Sequence, residues 1–205
     1  MRTHVVSSWF PGGVSIPAAP RWSAAFPPLP GGKLRDMIAT APTPRIAVSR
    51  AARRAALPAV LLGLGLGAFI DGIVLHQLLQ WHHVLSDTAE NPVGTVAGLE
   101  ANTLADGVFH AGALIVTAAG ALLALRHWRA GLASPPWPVH IGGLITGWGC
   151  FNVTEAMANH HLFGVHHVRD DLGGPLSWDL GWLAASVILL VAGLVIARRG
   201  WRTAR

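Results

Sequence analysis

An all-α integral membrane four-helix bundle with a parallel internal two-fold repeat, helices one and two matching helices three and four, is the fold class the sequence predicts. Three observations predict it. Of 205 residues, 52% are hydrophobic and only 12% charged, whereas soluble domains carry about 25% charged residues. Four apolar runs, 57–80, 105–125, 139–159 and 178–197, have the roughly 20-residue length that a helix needs to cross a bilayer. Finally, one pattern of acid and histidine occurs twice with the same spacing. Asp71, His76, His82 and His83 are followed by Val84, and Glu155, His160, His166 and His167 by Val168. Leu78 and Leu162 also match, which points to an internal duplication.

Taken in order, residues 1–45 are rich in proline, glycine, alanine and serine without sustained periodicity, so they are expected to be a disordered extension rather than a signal peptide. The four-helix domain is expected over 46–205. Its first span follows Arg53 and Arg54 and contains Gly63, Gly65 and Gly67, small enough for a neighbouring helix to approach closely. Asp71 lies deep within that span. An acidic connection with an Asn91-Pro92 turn leads to the second span, where Asp106 and His110 sit one helical turn apart. The third span carries Gly143 and Gly147 at small-xxx-small spacing, then Asn152, Glu155 and Asn159 along one stripe. Asp179 opens the fourth span as Asp106 opens the second. Both halves start on the same side, so the repeat is parallel, with its pseudo-axis along the membrane normal.

Charge sets the expected topology, because Lys and Arg stay on the cytoplasmic side of short loops. Fourteen of the 15 basic residues precede the first span or follow the second and fourth; Arg169 is the exception. Both termini and the central loop should therefore be cytoplasmic in a bacterial inner membrane, and the histidine clusters outside. Six of the nine tryptophans, Trp81, Trp128, Trp137, Trp178, Trp182 and Trp201, fall near span ends, where indole favours the headgroup layer. The net charge of +5 reflects orientation and contact with anionic lipid, not nucleic-acid binding, which would require a basic face on a soluble part. A single cysteine, Cys150, excludes an intramolecular disulfide and cysteine-based zinc sites and is expected to pack within the third span.

The chemistry lies in the ionisable residues near the outer half of the membrane. Each costs about 2.5–3.5 kcal/mol to insert, so a group of them implies mutual pairing, water or a metal. Asp71, His76, His82, His83, Asp106, His110, Glu155, His160, His166, His167 and Asp179 are the candidate metal residues, with His76, His110 and His160 foremost. Imidazole and carboxylate together suit zinc, iron, manganese or copper. On an ideal α-helix residues five apart diverge by about 140°, so Asp71 and His76 are not expected to reach one ion unaided, and the ligands should come from several helices. The paired histidines can fold back as a lid, with Gly164 permitting the break before His166. His161 is expected to be a solvated neighbour, and Asn152 and Asn159 to bond between helices.

Three functional classes compete. The preferred one binds a transition metal for redox chemistry or metal handling. A second holds haem between helices through His76, His110 or His160. In the third, Asp71, Glu155 and the histidines conduct protons or cations. Against all of them stands a purely structural hydrogen-bonded network pinning the bundle. The sequence leaves open whether the protein is an enzyme, which metal it takes and which proteins it meets.

The strings GAFIDGIVLHQLLQWHHVLS, DGVFHAG, GWGCFNVTEAMANHHLFGVHHVR and WDLGWL resemble those of a small four-helix bacterial family known as a predicted membrane protein and a domain of unknown function. The resemblance covers about 57–196. It implies fold and membrane location and supplies no activity.

Overall fold

A computed structural model describes residues 45–203, with side chains from residue 54 onward. The expected proline-rich extension, apart from Arg45, lies outside the described residues. Four helices account for most of the described chain. Helix α1, Arg45–Ile70, continues without interruption into a π-helical turn, Asp71–Leu78. Helix α2 is Val96–Arg129. Helix α3, Trp137–Glu155, likewise runs into a π-helical turn, Ala156–Leu162, and α4 is Leu176–Thr203.

Local chemistry explains the boundaries. Thr95 caps α2 by accepting a hydrogen bond at its hydroxyl from the Gly98 amide, 3.1 Å away, which satisfies one of the free amides of the first turn. Starting at Val96, α2 begins well before the apolar run at 105, its first turns held by the Thr95 cap and by Asn102, whose side-chain amide donates to the Asn91 and Gly98 carbonyls. Pro136 precedes α3 and Pro138 sits in its first turn, where the missing amide costs nothing. Both π-helical turns end at a residue with positive φ shortly afterwards, Gln80 (51°) and Gly164 (57°).

Helices α1 and α3 form the central pair, with α2 packed on α1 and α4 packed on α3. Glycine makes that centre close. A methyl group on Gly63 would run into the Leu144 carbonyl oxygen, and one on Gly147 into that of Val60. The central pair therefore meets backbone to backbone, reciprocally. In its most apolar window α1 is 44% buried, against 11% for α2 and for α4. The outer two helices accordingly present large apolar faces, including Leu104, Val108, Ile115 and Ile188, and lipid is the solvent that suits them.

Three helices, spanning Arg54–Leu78, Val96–Arg129 and Leu176–Thr203, are long and apolar enough to cross a membrane. The third expected span, 139–159, is helical but not among them. Its interior, GGLITGWG followed by Asn152 and Glu155, gives up side-chain hydrophobicity for close packing and for the site. Cys150, expected to pack inside, is exposed.

Candidate metal centre

The chain runs up and down four times, so the carboxyl ends of α1 and α3 and the amino ends of α2 and α4 share one end of the bundle. That end gathers all the candidate residues except His110. Two triads form, Asp71 with His76 and His82, and Glu155 with His160 and His166; within each, one ligand-capable atom per residue lies within 4.8 Å of the others. All six side chains are buried, His76 and His166 to 1% exposure.

The π-helical turns make the triads possible. In a π-helix the hydrogen bonds run between residues five apart, so these stack along the axis as residues four apart do in an α-helix. His76 Nε2 consequently lies 3.3 Å from Asp71 Oδ2, and His160 Nε2 lies 3.0 Å from Glu155 Oε1. This corrects the sequence expectation that the five-residue spacing separates acid from histidine, which holds only for α-helical geometry. It also means that each triad comes from one helix end and its following loop, not from several helices.

After each π turn the chain breaks at the positive-φ residue and folds back over the cluster. His82 Nε2 comes to 4.0 Å from Asp71 Oδ1, and His166 Nε2 bonds Glu155 Oε1 at 2.8 Å. The His82 and His166 rings stack, with centroids 4.6 Å apart and planes 7° from parallel.

The remaining helices supply carboxylates that hold these histidines from behind. Asp106 accepts from His76 Nδ1 (3.0 Å), His83 Nδ1 (2.7 Å) and the Val84 amide (3.1 Å). Asp179 accepts from His167 Nδ1 (2.6 Å) and the Val168 amide (2.9 Å), and its Oδ1 lies 3.4 Å from His160 Nδ1. The loop histidines are held by backbone instead: His82 Nδ1 donates to the Val168 carbonyl, and His166 Nδ1 to the Val84 carbonyl, each at 3.1 Å. A carbonyl only accepts, so Nδ1 carries the proton, and neutral His82 turns the lone pair of Nε2 toward Asp71. Burial, together with His166 and His76, holds the His82 pKa down to about 2, which keeps it in the neutral form that binds metals. For His166 burial works in the same sense, but the Glu155 carboxylate against Nε2 outweighs it and raises the pKa.

Within the triads, His76 Nε2, His82 Nε2 and both nitrogens of His160 are buried without a hydrogen-bond partner, as is His110 Nε2 outside them. His76 and His160 lie within ion-pair distance of their acids, but the bonds are misaligned. Leaving a buried polar atom unsatisfied costs about 1–3 kcal/mol each, which a ligand would offset. Donors about 2.1 Å from a common ion lie roughly 3–4 Å apart, so small side-chain rotations would close each triad.

His110 stands apart. Its Nε2 lies against Gly72, and its ring stacks on Phe69 with centroids 6.1 Å apart. Asp106, expected to pair with it, faces His76 and His83. His161 is exposed. Asn152 is buried, but its Oδ1 finds no partner, contrary to the expected interhelical bond.

Some participants escaped sequence reasoning. Asn102 is fully buried, accepts from the Leu85 amide at 2.9 Å and donates to the carbonyls of Asn91 and Gly98, tying the first loop to α2. Ser86 donates to Asp170 across the two loops and also receives the His83 amide, as Asp170 receives the His167 amide. The available signal was spacing, since Ser86 and Asp170 stand at the same distance after the two pairs of histidines.

In comparisons with known proteins, the family described as "Predicted membrane protein (DUF2243)" matches residues 58–200. No curated protein and no solved structure matches the chain.

Proposed function

We propose, for a chain that belongs to the DUF2243 family of predicted membrane proteins, that it is a multi-pass protein binding a transition metal through its two histidine-carboxylate triads, for redox chemistry or metal handling. The observation that carries this reading is the set of buried Nε2 atoms of His76, His82 and His160, aimed at carboxylates and lacking hydrogen-bond partners. His110 Nε2 and Asn152 Oδ1 are also unpaired, but only the triad nitrogens converge with a carboxylate on one point. Two imidazoles and one carboxylate, with open coordination positions, are a donor set that iron(II), manganese(II) and zinc(II) accept. The Nδ1 atoms of His76, His82 and His166 each bond a carboxylate or a carbonyl, an arrangement that fixes tautomer and ring direction in metal-ligating histidines, and that of His160 lies 3.4 Å from Asp179.

The same geometry weighs against the competing readings. The Nε2 atoms of His76 and His160 face the carboxylates of Asp71 and Glu155 at 3.3 and 3.0 Å, where a haem iron would have to sit, and the Nε2 of His110 is turned against Gly72. Backbone contact at Gly63 and Gly147 obstructs a continuous polar path along α1 and α3.

We also infer that the two halves are a tandem duplication about a pseudo-two-fold axis. The paired bonds from Asp106 and Asp179, the exchanged carbonyl contacts of His82 and His166, and the exchanged backbone bonds from Asp87 to Val165 and from Asp171 to Trp81 support this. By the distribution of basic residues, the site faces the outside of a bacterial inner membrane and both termini face the cytoplasm.

Elemental analysis of protein purified from cells supplemented in turn with iron, manganese, zinc and copper tests the proposal. Bound metal near or above one equivalent is expected in the wild type, with loss of most of it when His76 and His160 are both replaced by Ala. Trace metal throughout would refute it.

A further inference from the structure

We propose that the cluster takes two metal ions, one per triad, and that they bind cooperatively because each half of the chain holds a ligand of the other half's ion. This rests on the metal-binding reading above. Each triad has its own carboxylate and two imidazoles, so neither needs to borrow a donor. The two meet at the stacked His82 and His166 rings, 4.6 Å between centroids, which makes the ions close neighbours.

The coupling route consists of particular hydrogen bonds and one ion-pair contact, between Asp179 and His160. His82, a ligand of the first ion, donates from Nδ1 to the Val168 carbonyl at 3.1 Å. The amide of the same Val168 donates to Asp179 Oδ1 at 2.9 Å, and that oxygen lies 3.4 Å from Nδ1 of His160, a ligand of the second ion. A matching route leads back. His166 donates to the Val84 carbonyl at 3.1 Å, the Val84 amide donates to Asp106 Oδ1 at 3.1 Å, and the same oxygen accepts from His76 Nδ1 at 3.0 Å.

An ion in the first triad fixes the His82 ring. It thereby fixes the loop at Val168 and the rotamer of Asp179, which aims His160. The second ion then meets histidines already ordered, and the ordering cost is met once for both. The exchanged backbone bonds, Asp87 to Val165 at 3.0 Å and Asp171 to Trp81 at 3.1 Å, make the two loops one mechanical unit.

Cobalt(II), whose visible bands report coordination, titrated into the full chain in detergent after removal of metal with a chelator, provides the test. Two equivalents per chain are expected, with a Hill coefficient above one. Glu155→Ala, which removes the carboxylate of the second triad, should leave one equivalent and weaken binding to the intact first triad roughly five-fold or more, the lower end of usual coupling strengths. Glu155→Gln, which keeps the side-chain volume, should do the same, and circular dichroism would verify that both variants stay folded. One equivalent in the wild type overturns the proposal. So do two equivalents filling independently, with first-triad affinity unchanged in both variants. No cobalt in the wild type would instead refute the metal-binding reading beneath it.

Discussion

At the scale of single residues, Gln80 adopts φ of 51° after the first π-helical turn, and Gly164 adopts 57° at the matching distance after the second. The left-handed region costs a residue with a Cβ about 1–2 kcal/mol, and glycine gives part of that back as extra freedom when unfolded. Gln80 is exposed, so its side chain contributes little. Gln80→Gly is therefore expected to stabilise the protein by about 0.5–1 kcal/mol, and Gly164→Ala to destabilise it by a similar amount. Thermal unfolding in detergent checks both signs. Asp106 accepts from two imidazoles and an amide at once. Replacing it with Asn removes the charge and one acceptor, and metal affinity should fall by about 10- to 100-fold, as is usual for groups that orient ligands from behind. A direct titration with unchanged affinity would deny Asp106 that role. Most members of the site were legible from one rule, that an ionisable residue within an apolar run has work to do. His110 satisfied the rule and still lies apart, because the rule says nothing about which way a side chain faces.

At the scale of elements, the decisive feature was invisible in the sequence. Nothing in DGIVLHQL or AMANHHL distinguishes a π-helical turn from an α-helical one, and α-helical spacing places Asp71 and His76 on different faces. Only the fold-back of both loops, which ties their backbones to the opposite half, rewards the wider turn. The glycines were easier to read, since close helix approach demands them whatever the partner. Gly63 and Gly147 each meet a carbonyl oxygen that no small shift of a side chain can move. Gly63→Ala and Gly147→Ala are thus expected to cost about 1–3 kcal/mol apiece and by similar amounts, since each mirrors the other's contact. A large loss in one variant and none in the other, by the same thermal unfolding, would count against equivalent halves.

At the scale of the whole molecule, the order of the helices across the bundle, α2, α1, α3, α4, puts the two helices that touch backbone to backbone at Gly63 and Gly147 inside and two helices with largely exposed apolar windows outside. Composition alone made the membrane class legible, and the charge count gives an orientation that fusions can check. A fluorescent protein that matures only in the cytoplasm should be bright when joined after Arg205 and dark when inserted at Gly94. The reverse pattern would turn the protein over. The low hydropathy of α3 reaches beyond packing into how the chain is made. During synthesis a segment leaves the translocon for lipid when it is apolar enough, and GGLITGWG followed by Asn152 and Glu155 is a poor candidate to do so alone. Helix α3 should wait at the translocon until α4 emerges, and then leave as a hairpin against α1, already in the bilayer. Chains cut after residue 175, lacking α4, should leave α3 accessible to protease in a large fraction of molecules, whereas the full chain protects it. Full protection of the cut chain would show that α1 alone suffices to draw α3 into the membrane.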